Sequence, residues 1–280
     1  MHEPRVSILM LTYDRPQLIG RAIASACDQT VTDWELIIVQ DGDSAETGAL
    51  LQKWLAAEPR VRYFPRGTVG CIAEASNFGL ARARGEYIAV LDDDDYWSDP
   101  RKLERQVAFL DEHPDYVACG GGYAVVDEND RKRGMFLKPE NDADIRARAL
   151  VANPIANSAA MFRRVVNGRP MLYDEAMDGF ADWDFWLTMG GEGKLYNFPE
   201  CFYHYTLWGG SGSFKASKRN ARAALRIVRK HRGRYRGFPA AFALAWMNYC
   251  YASLPVPIRR VSYTSLSAMK KALTGVRAEV

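Results

Sequence analysis

Glu86-Tyr-Ile-Ala-Val-Leu-Asp-Asp-Asp-Asp-Tyr-Trp97 is the stretch on which the reading of this chain turns. A short apolar run, suited to a strand buried on both faces, leads directly into four aspartates. Adjacent carboxylates repel one another, and such a cluster is costly unless it is solvated or bound to a cation. A hard divalent ion with oxygen ligands removes the repulsion and can bridge to a diphosphate while keeping several waters. A solvated acidic loop is the ordinary alternative. Its position directly after an apolar strand weighs against that.

The same pattern recurs upstream. Val6-Ser-Ile-Leu-Met-Leu-Thr12 reads as a first strand, followed by Asp14-Arg15-Pro16 as a cap and a first-turn proline. Leu18, Ile19, Ala22, Ile23, Ala26 and Cys27 then fall at helical spacing. Trp34 to Val39 is the next apolar run and ends at Gln40-Asp41-Gly42. Ser44 is placed to cap a helix toward Ala57, Val61 to Phe64 is a third short strand, and Gly70 to Arg84 reads as a helix. Downstream, Ser98-Asp99-Pro100 starts a helix carried by Leu103, Val107 and Leu110. Strands and helices alternating at this pitch imply a doubly wound α/β fold with a mostly parallel central sheet flanked by helices. In such sheets ligands sit beyond the carboxyl ends of the strands. Three polar clusters lie there: Thr12-Tyr13-Asp14, Asp41-Gly42-Asp43 and Asp92 to Asp95.

Beyond Tyr116 the alternation loosens. A strand is expected at Tyr116–Val126, a charged loop through Asp144, a strand-like run at Asn157–Arg163, a helix at Asp182–Met189 and a basic helix over 215–232. The five cysteines show no CxxC pair, so neither a zinc site nor a disulfide framework is indicated. Each is expected to be a small core residue, in a reducing compartment. The opening apolar run reads as a strand and not as a signal peptide.

The net charge of +3 conceals an asymmetry. Residues 1–200 hold 22 Lys/Arg against 33 Asp/Glu, a net of −11, whereas residues 201–280 hold 15 against one, a net of +14. Ten of those cations fall in 215–236, ahead of an uncharged run from Phe238 to Ile258. Its prolines leave less helix than a bilayer crossing requires. An interfacial segment with basic flanks is expected instead, with helices packed on the preceding domain as the alternative. No nucleic-acid module accompanies the charge, so nucleic acid is not expected as a partner.

The order of these motifs resembles glycosyltransferase family 2, the inverting group with the GT-A fold. The pieces are Val6 to Pro16, Trp34 to Asp43, Ala83 to Asp95, Asn153-Pro-Ile-Ala-Asn157 and Ala181-Asp-Trp-Asp-Phe-Trp-Leu187, so the likeness covers roughly residues 5–213. It implies a catalytic domain over 1–213, with a nucleotide-sugar-binding half to about 115 and an acceptor-binding half over 116–213. Residues 214–280 would be a basic helical tail. It also implies transfer of a sugar from a nucleotide-diphosphate donor to an acceptor hydroxyl on a glycan or lipid-linked molecule. The expected setting is polysaccharide or glycoconjugate assembly in the cytoplasm, peripheral to the inner face of the membrane. Residues 215–280 would meet anionic lipid.

The resemblance assigns residues as well. Thr12 and Tyr13 would line the base pocket, and Asp41 would accept the ring N–H of a uracil-type base, favouring a UDP-sugar; turn chemistry at Asp41-Gly42 is the alternative. Asn77 and Gly79 match the helix after the third strand, where Ser76 stands for a frequent arginine. Asp92, Asp94 and Asp95 match the metal motif, with Asp93 the variable position, and would hold Mn²⁺ or Mg²⁺; Asp93 and Asp94 would also contact the donor. Side chains alternate on an extended segment, so not all four can converge. Asp182 matches the general base, with Ala181 in place of a glutamate and Asp184 as its competitor; an N-cap is the structural alternative. Thr206 and Trp208 stand where the family often has Arg and His, and His204 reads as a packed histidine. Two other classes stand beside this one. A catalytically weak nucleotide-sugar-binding module is one. A nucleotidylyltransferase is the other, but it would want a Gly-rich basic loop after the first strand.

Overall fold

The computed structural model describes residues 3–177, 179–207, 218–254 and 277–279. The first half alternates as β1 (Val6–Thr12), α1 (Pro16–Cys27), β2 (Trp34–Gln40), α2 (Ala45–Ala57), β3 (Val61–Pro65), α3 (Ile72–Leu80) and β4 (Tyr87–Val90). Then come β5 (Asp95–Trp97), α4 (Lys102–Glu112), β6 (Tyr116–Val126), β7 (Lys132–Leu137) and α5 (Asp142–Arg148). A 3₁₀ turn at Asn157–Ala159 leads into β8 (Met161–Arg163) and a small hairpin of β9 (Val165–Val166) and β10 (Arg169–Pro170). The chain continues through α6 (Ala181–Glu192), β11 (Lys194–Thr206), α7 (Lys218–Lys230), α8 (Phe238–Ser253) and β12 (Arg277–Glu279).

The sheet is parallel where the sequence alternates and mixed where it does not. The order β3-β2-β1-β4 is parallel throughout, and Thr12 lies opposite Gln40 at the matched ends of β1 and β2. Beyond β4 the neighbours β8, β6, β7 and β12 are antiparallel in turn. The long strand β11 runs parallel to β6 and closes antiparallel on β5, with Tyr205 opposite Asp95.

The period of two along each strand sorts the core into two faces. Ile8, Met10, Leu36 and Ile38 meet Ile19, Ile23, Leu51, Leu103 and Leu110 of α1, α2 and α4. Leu9, Ile37, Val39, Ile88 and Phe162 meet Leu80, Phe185, Trp186 and Met189 of α3 and α6. Gly79 permits that second contact, because a β-carbon there would lie 2.3 Å from Leu9 Cδ1. A third cluster joins Ala149, Leu150, Trp183 and Leu187 to Leu225, Ile227, Val228 and Tyr235. Helices α7 and α8 are therefore packed against α6, as the alternative reading of the tail has it.

Several local expectations change. Asp14 does not cap α1: it adopts φ 53° and its carboxylate accepts Ser44 N–H at 2.9 Å, bracing the β2–α2 loop. Ser44 does cap α2, accepting Thr47 N–H at 3.2 Å. The helix expected from Gly70 begins at Ile72, since Gly67 and Gly70 hold left-handed φ values of 72° and 73°. The charged stretch through Asp144 contains β7 and α5, the latter capped by Asn141. Of the five cysteines only Cys119 is buried, and Cys250 is exposed on α8. Within the run Phe238–Ile258 the helix spans Phe238–Ser253, and the run beyond residue 254 lies outside the described residues. Among the described residues no helix is long and apolar enough to cross a membrane.

Candidate active site

The ends of β1, β2 and β4 bring the three polar clusters to one rim, and a β-turn builds the aspartate cluster. Asp95 N–H bonds back to Asp92 C=O at 3.1 Å, so the four residues fold over and do not run on as a strand. The turn divides them by exposure: Asp93 and Asp95 are buried, Asp92 and Asp94 are half-buried. A turn, not the pleat invoked from sequence, separates the side chains.

Each carboxylate has its own holder. Ser158 sits inside the turn, with its hydroxyl donating to Asp95 Oδ2 at 2.5 Å and accepting Asp92 N–H at 3.2 Å. Asp95 also receives Thr206 N–H, at 3.4 Å. Arg15 Nη1 lies 2.7 Å from Asp93 Oδ1 and 3.0 Å from Asp94 Oδ2, a guanidinium bridging two acids. Asn157 Nδ2 donates to both oxygens of Asp92, at 3.0 and 3.2 Å.

Burial dominates the electrostatics of this turn. It pushes the Asp92 carboxyl up to about 6, with the Asp94 charge next in size and the Asp182 charge a smaller contribution; the Asn157 hydrogen bond opposes them. Burial likewise pushes Asp93 up to about 7 against the pull of Arg15, and holds Asp95 well above the usual carboxylate range. Among the described residues no three His, Cys, Asp or Glu side chains converge as a ready-made metal cage. The donor set suits a divalent cation of the kind held by one or two carboxylates together with phosphate oxygens and water. Asp92 and Asp94 are the half-exposed, mutually repelling pair that such an ion would relieve, whereas Asp95 is turned inward on Ser158.

Asp182, in the first turn of α6, lies near enough to the aspartate turn for its charge to bear on Asp92. That helix starts at Ala181 after Phe180, so Asp182 is not its N-cap. Burial raises its carboxyl pKa, while the backbone N–H groups of the first turn, the Lys138 charge and Asn153 act in the opposite direction. Asn153 Nδ2 donates to Asp182 Oδ2 at 2.6 Å, and Lys138 Nζ donates to Asn153 C=O at 2.9 Å. Burial pushes the Lys138 amine down to about 8. Asp184 is 1% exposed and bonded to Lys230 and His231, which takes it out of the cleft.

At the base-pocket end Thr12 is buried and its carbonyl accepts Asp41 N–H at 2.9 Å, while Tyr13 is 51% exposed at the rim. Both Asp41 oxygens accept backbone N–H groups, from Val69 at 2.8 Å and Gly70 at 3.0 Å, so this carboxylate orders the β3–α3 loop. The Asn77 amide bonds Tyr173 N–H and C=O and Glu175, docking the 173–175 segment on α3. The Ser76 hydroxyl bonds back to Ile72 C=O within the helix.

Thr206 takes Arg21 Nη2 at 2.9 Å, so a guanidinium from α1 comes to the place where the family often has its own arginine; Trp208 lies outside the described residues. His204 packs edge-on to Tyr96, bonded through Nδ1 at 2.7 Å to the Tyr96 hydroxyl. Sequence reasoning gave no individual role to Arg15, Lys138, Asn153, Asn157 or Ser158. All but Lys138 and Ser158 lie inside the stretches that carry the family resemblance; Lys138 sits in a charged segment with no distinguishing pattern.

The profile for "Glycosyl transferase family 2" matches residues 7–169. EpsE of Bacillus subtilis (strain 168), a provisionally assigned glycosyltransferase, is 31% identical over 71% of this chain and 72% of its own length. Chondroitin synthase of Escherichia coli is 29% identical over 76% of this chain, which spans only 30% of that enzyme. Relatives in Mycobacterium are covered over 55% of their length. Among solved structures, a mannosyltransferase of Pyrobaculum calidifontis in complex with GDP-Man and Mn²⁺ superposes with a TM-score of 0.64 at 15% identity, covering 98% of this chain and 84% of that one. S. aureus TarS 1–349 in complex with UDP-GlcNAc gives 0.62 at 16% identity, covering 89% and 72%. With a family profile matching more than half its length and the GT-A architecture around the aspartate rim, the chain belongs to glycosyltransferase family 2.

Proposed function

We propose that the chain transfers a sugar from a nucleotide-diphosphate donor, a UDP-sugar in the favoured case, to an acceptor hydroxyl with inversion at the anomeric carbon. The observation that carries this reading is the meeting of the aspartate turn after β4 with Asp182 at the start of α6. The charges of Asp94 and Asp182 both bear on Asp92.

Donor binding falls to about residues 1–115 and acceptor binding to 116–213. Tyr13 offers an exposed aromatic face for the base, beside Thr12 and Asp41. Asp92 and Asp94 would hold Mn²⁺ or Mg²⁺, which would neutralise charge on the departing diphosphate. Asp93 and Arg15 fix the turn from the β1 side. Asp182 takes the acceptor hydroxyl's proton as that oxygen bonds to the anomeric carbon and the bond to the diphosphate oxygen breaks. Nucleoside diphosphate leaves with the bonding electron pair. The nucleotide sugars named in the complexes of TarS and the archaeal mannosyltransferase support a donor of this class, and chondroitin synthase supports a role in glycan assembly.

A thermal-shift screen of UDP-, dTDP- and GDP-sugars with Mn²⁺ identifies the donor, since ligand binding to the native state raises Tm. Donor hydrolysis by the wild type and by Asp182→Asn then tests the base. A variant that turns over as fast as the wild type would overturn the assignment. Metal-dependent UDP binding with no turnover in the wild type would instead favour a binding module, the reading to which Ala181 lends weight.

The reading extends to an anionic membrane surface. Lys218, Arg219, Arg222, Arg226 and Arg229 are exposed along α7, and α8 packed beside it exposes Trp246 (49%), Met247 (40%) and the following Leu254 (39%). Cations next to exposed apolar side chains match a phosphate-bearing interface. Flotation of the full chain on phosphatidylglycerol-containing vesicles should exceed that on phosphatidylcholine alone and fall in Trp246→Glu/Met247→Glu. Equal partitioning in all cases would remove the proposal.

A further inference from the structure

The two ends of one five-residue stretch hold the two halves of the site. Asn157 donates its amide to Asp92, and four residues earlier Asn153 donates its amide to Asp182. The stretch between them is itself fixed: Ile155 is fully buried, and Pro154 C=O accepts Asn197 Nδ2 at 3.1 Å. Lys138 Nζ grips the same stretch at Asn153 C=O, 2.9 Å away.

Both asparagines show the same unusual feature. Their amide carbonyl oxygens, Asn153 Oδ1 and Asn157 Oδ1, are buried without a hydrogen-bond partner in the protein. Buried polar atoms are ordinarily satisfied; Asn197 shares the feature while holding backbone carbonyls, so what sets Asn153 and Asn157 apart is that the other end of each amide holds an acid. Here the amide orientation is dictated by the carboxylate at the other end of the group. Two such cases on one short segment, each aimed at a different acid of the cleft, point to positioning and not to fold stability.

We propose that Asn153 and Asn157 are positioning residues that set Asp182 and Asp92 against each other through the segment joining them, with Lys138 fixing its acceptor-side end and placing a cation beside Asp182. The proposal deepens the reading of Asp182 as base and Asp92 as a cation-holding carboxylate, and rests on it. The groups facing Asp182 are Lys138 from the stretch after β7, Asn153, Asp92 from the aspartate turn, the Tyr173 hydroxyl, and the N–H groups of Asp182 and Trp183. Lys138, Asn153 and the N–H groups favour the carboxylate, whereas Asp92 and burial disfavour it.

The test uses the full chain and two readouts. The ¹³C carboxyl resonance of Asp182, assigned by its loss in Asp182→Asn, is titrated without metal or nucleotide. Asn153→Ala and Lys138→Met should each raise its midpoint by about one pH unit, and Lys138→Arg should restore it. Calorimetry of UDP binding in Mn²⁺ should show Asn157→Ala weakened by about 10–100-fold, the range for losing a residue that orients a metal-binding carboxylate. Asn153→Ser and Asn157→Ser serve where the alanine variants fail to fold. An Asp182 midpoint unmoved in both the Asn153 and Lys138 variants, or UDP affinity in the Asn157 variants equal to wild type, overturns the proposal. Turnover of a UDP-sugar by Asp182→Asn would sink the base assignment alone and leave the titration result standing.

Discussion

His231 Nε2 lies 2.8 Å from Asp184 Oδ1, with the two side chains 2% and 1% exposed. Lys230 takes the other oxygen at 2.7 Å, and Tyr235 bonds Leu187 C=O at 2.7 Å. Helix α6, which presents Asp182 to the cleft, is thereby bolted to α7 on its opposite side. Removing Asp184 leaves the buried His231 Nε2 without its partner, while Lys230 keeps Asp174. Asp184→Ala should lose about 1–3 kcal/mol of stability, lowering Tm by about 2–6 °C for a chain of this size. Thermal unfolding by circular dichroism measures it, and an unchanged Tm would deny the contact its structural weight.

The aspartate turn divides its four carboxylates by exposure. Asp94→Asn should cost on the order of 10²–10³-fold in donor turnover, because several kcal/mol of leaving-group stabilisation goes with it. Asp95→Asn should keep most of the turnover, since the buried Asp95 bonds Ser158 and its carboxyl is held well above the ordinary range. Steady-state hydrolysis of one UDP-sugar in Mn²⁺ compares them. Equal losses would mean that Asp95 also reaches the cation.

Acid should stabilise this site in the metal-free protein. The Asp92 and Asp93 carboxyls are pushed up to about 6 and about 7, above their values in the unfolded chain. The native state therefore binds these protons more tightly, and the contribution is present at low pH and lost as pH rises through 6 to 7. Measured without metal, Tm should rise between pH 8 and pH 6, and this rise should shrink in the double variant Asp92→Asn/Asp93→Asn. A wild-type Tm that falls steadily over that interval contradicts the expectation.

Deleting the tail is not a clean membrane experiment. Leu225, Ile227, Val228 and Tyr235 cover Trp183 and Leu187 of α6, so a chain ending near residue 214 would expose a core cluster. Such a truncation should aggregate or melt well below the full chain in differential scanning calorimetry. Trp246→Glu/Met247→Glu alters exposed positions and should leave Tm near wild type. A stable truncated form would show that the third cluster contributes little.

What the sequence made legible follows its periodicity. Strands β1, β2 and β4 are continuous apolar runs ending in polar clusters, and parallel register carries those ends to one rim. Ser44 and the Asp182 helix were readable from local chemistry. Asp14 resembles a cap in local sequence because its partner, Ser44 N–H, is thirty residues away. Strand β7 and helix α5 were hidden by charge: Lys132 and Arg133 are exposed at a sheet margin, where periodicity is weak. Lys138 and the two asparagines act through contacts made only when β7, the segment before β8 and α6 come together. No window of sequence contains that information.

The pairing of Asp95 with Tyr205 has a consequence for how the protein comes into being. The first four parallel strands can associate from sequence-local crossovers, but the aspartate turn waits for a strand that ends at Thr206. Closures across such distances are entropically slow. A nascent chain should thus acquire its first parallel strands early and its aspartate turn last, and no fragment ending before β11 should hold that turn in the same shape.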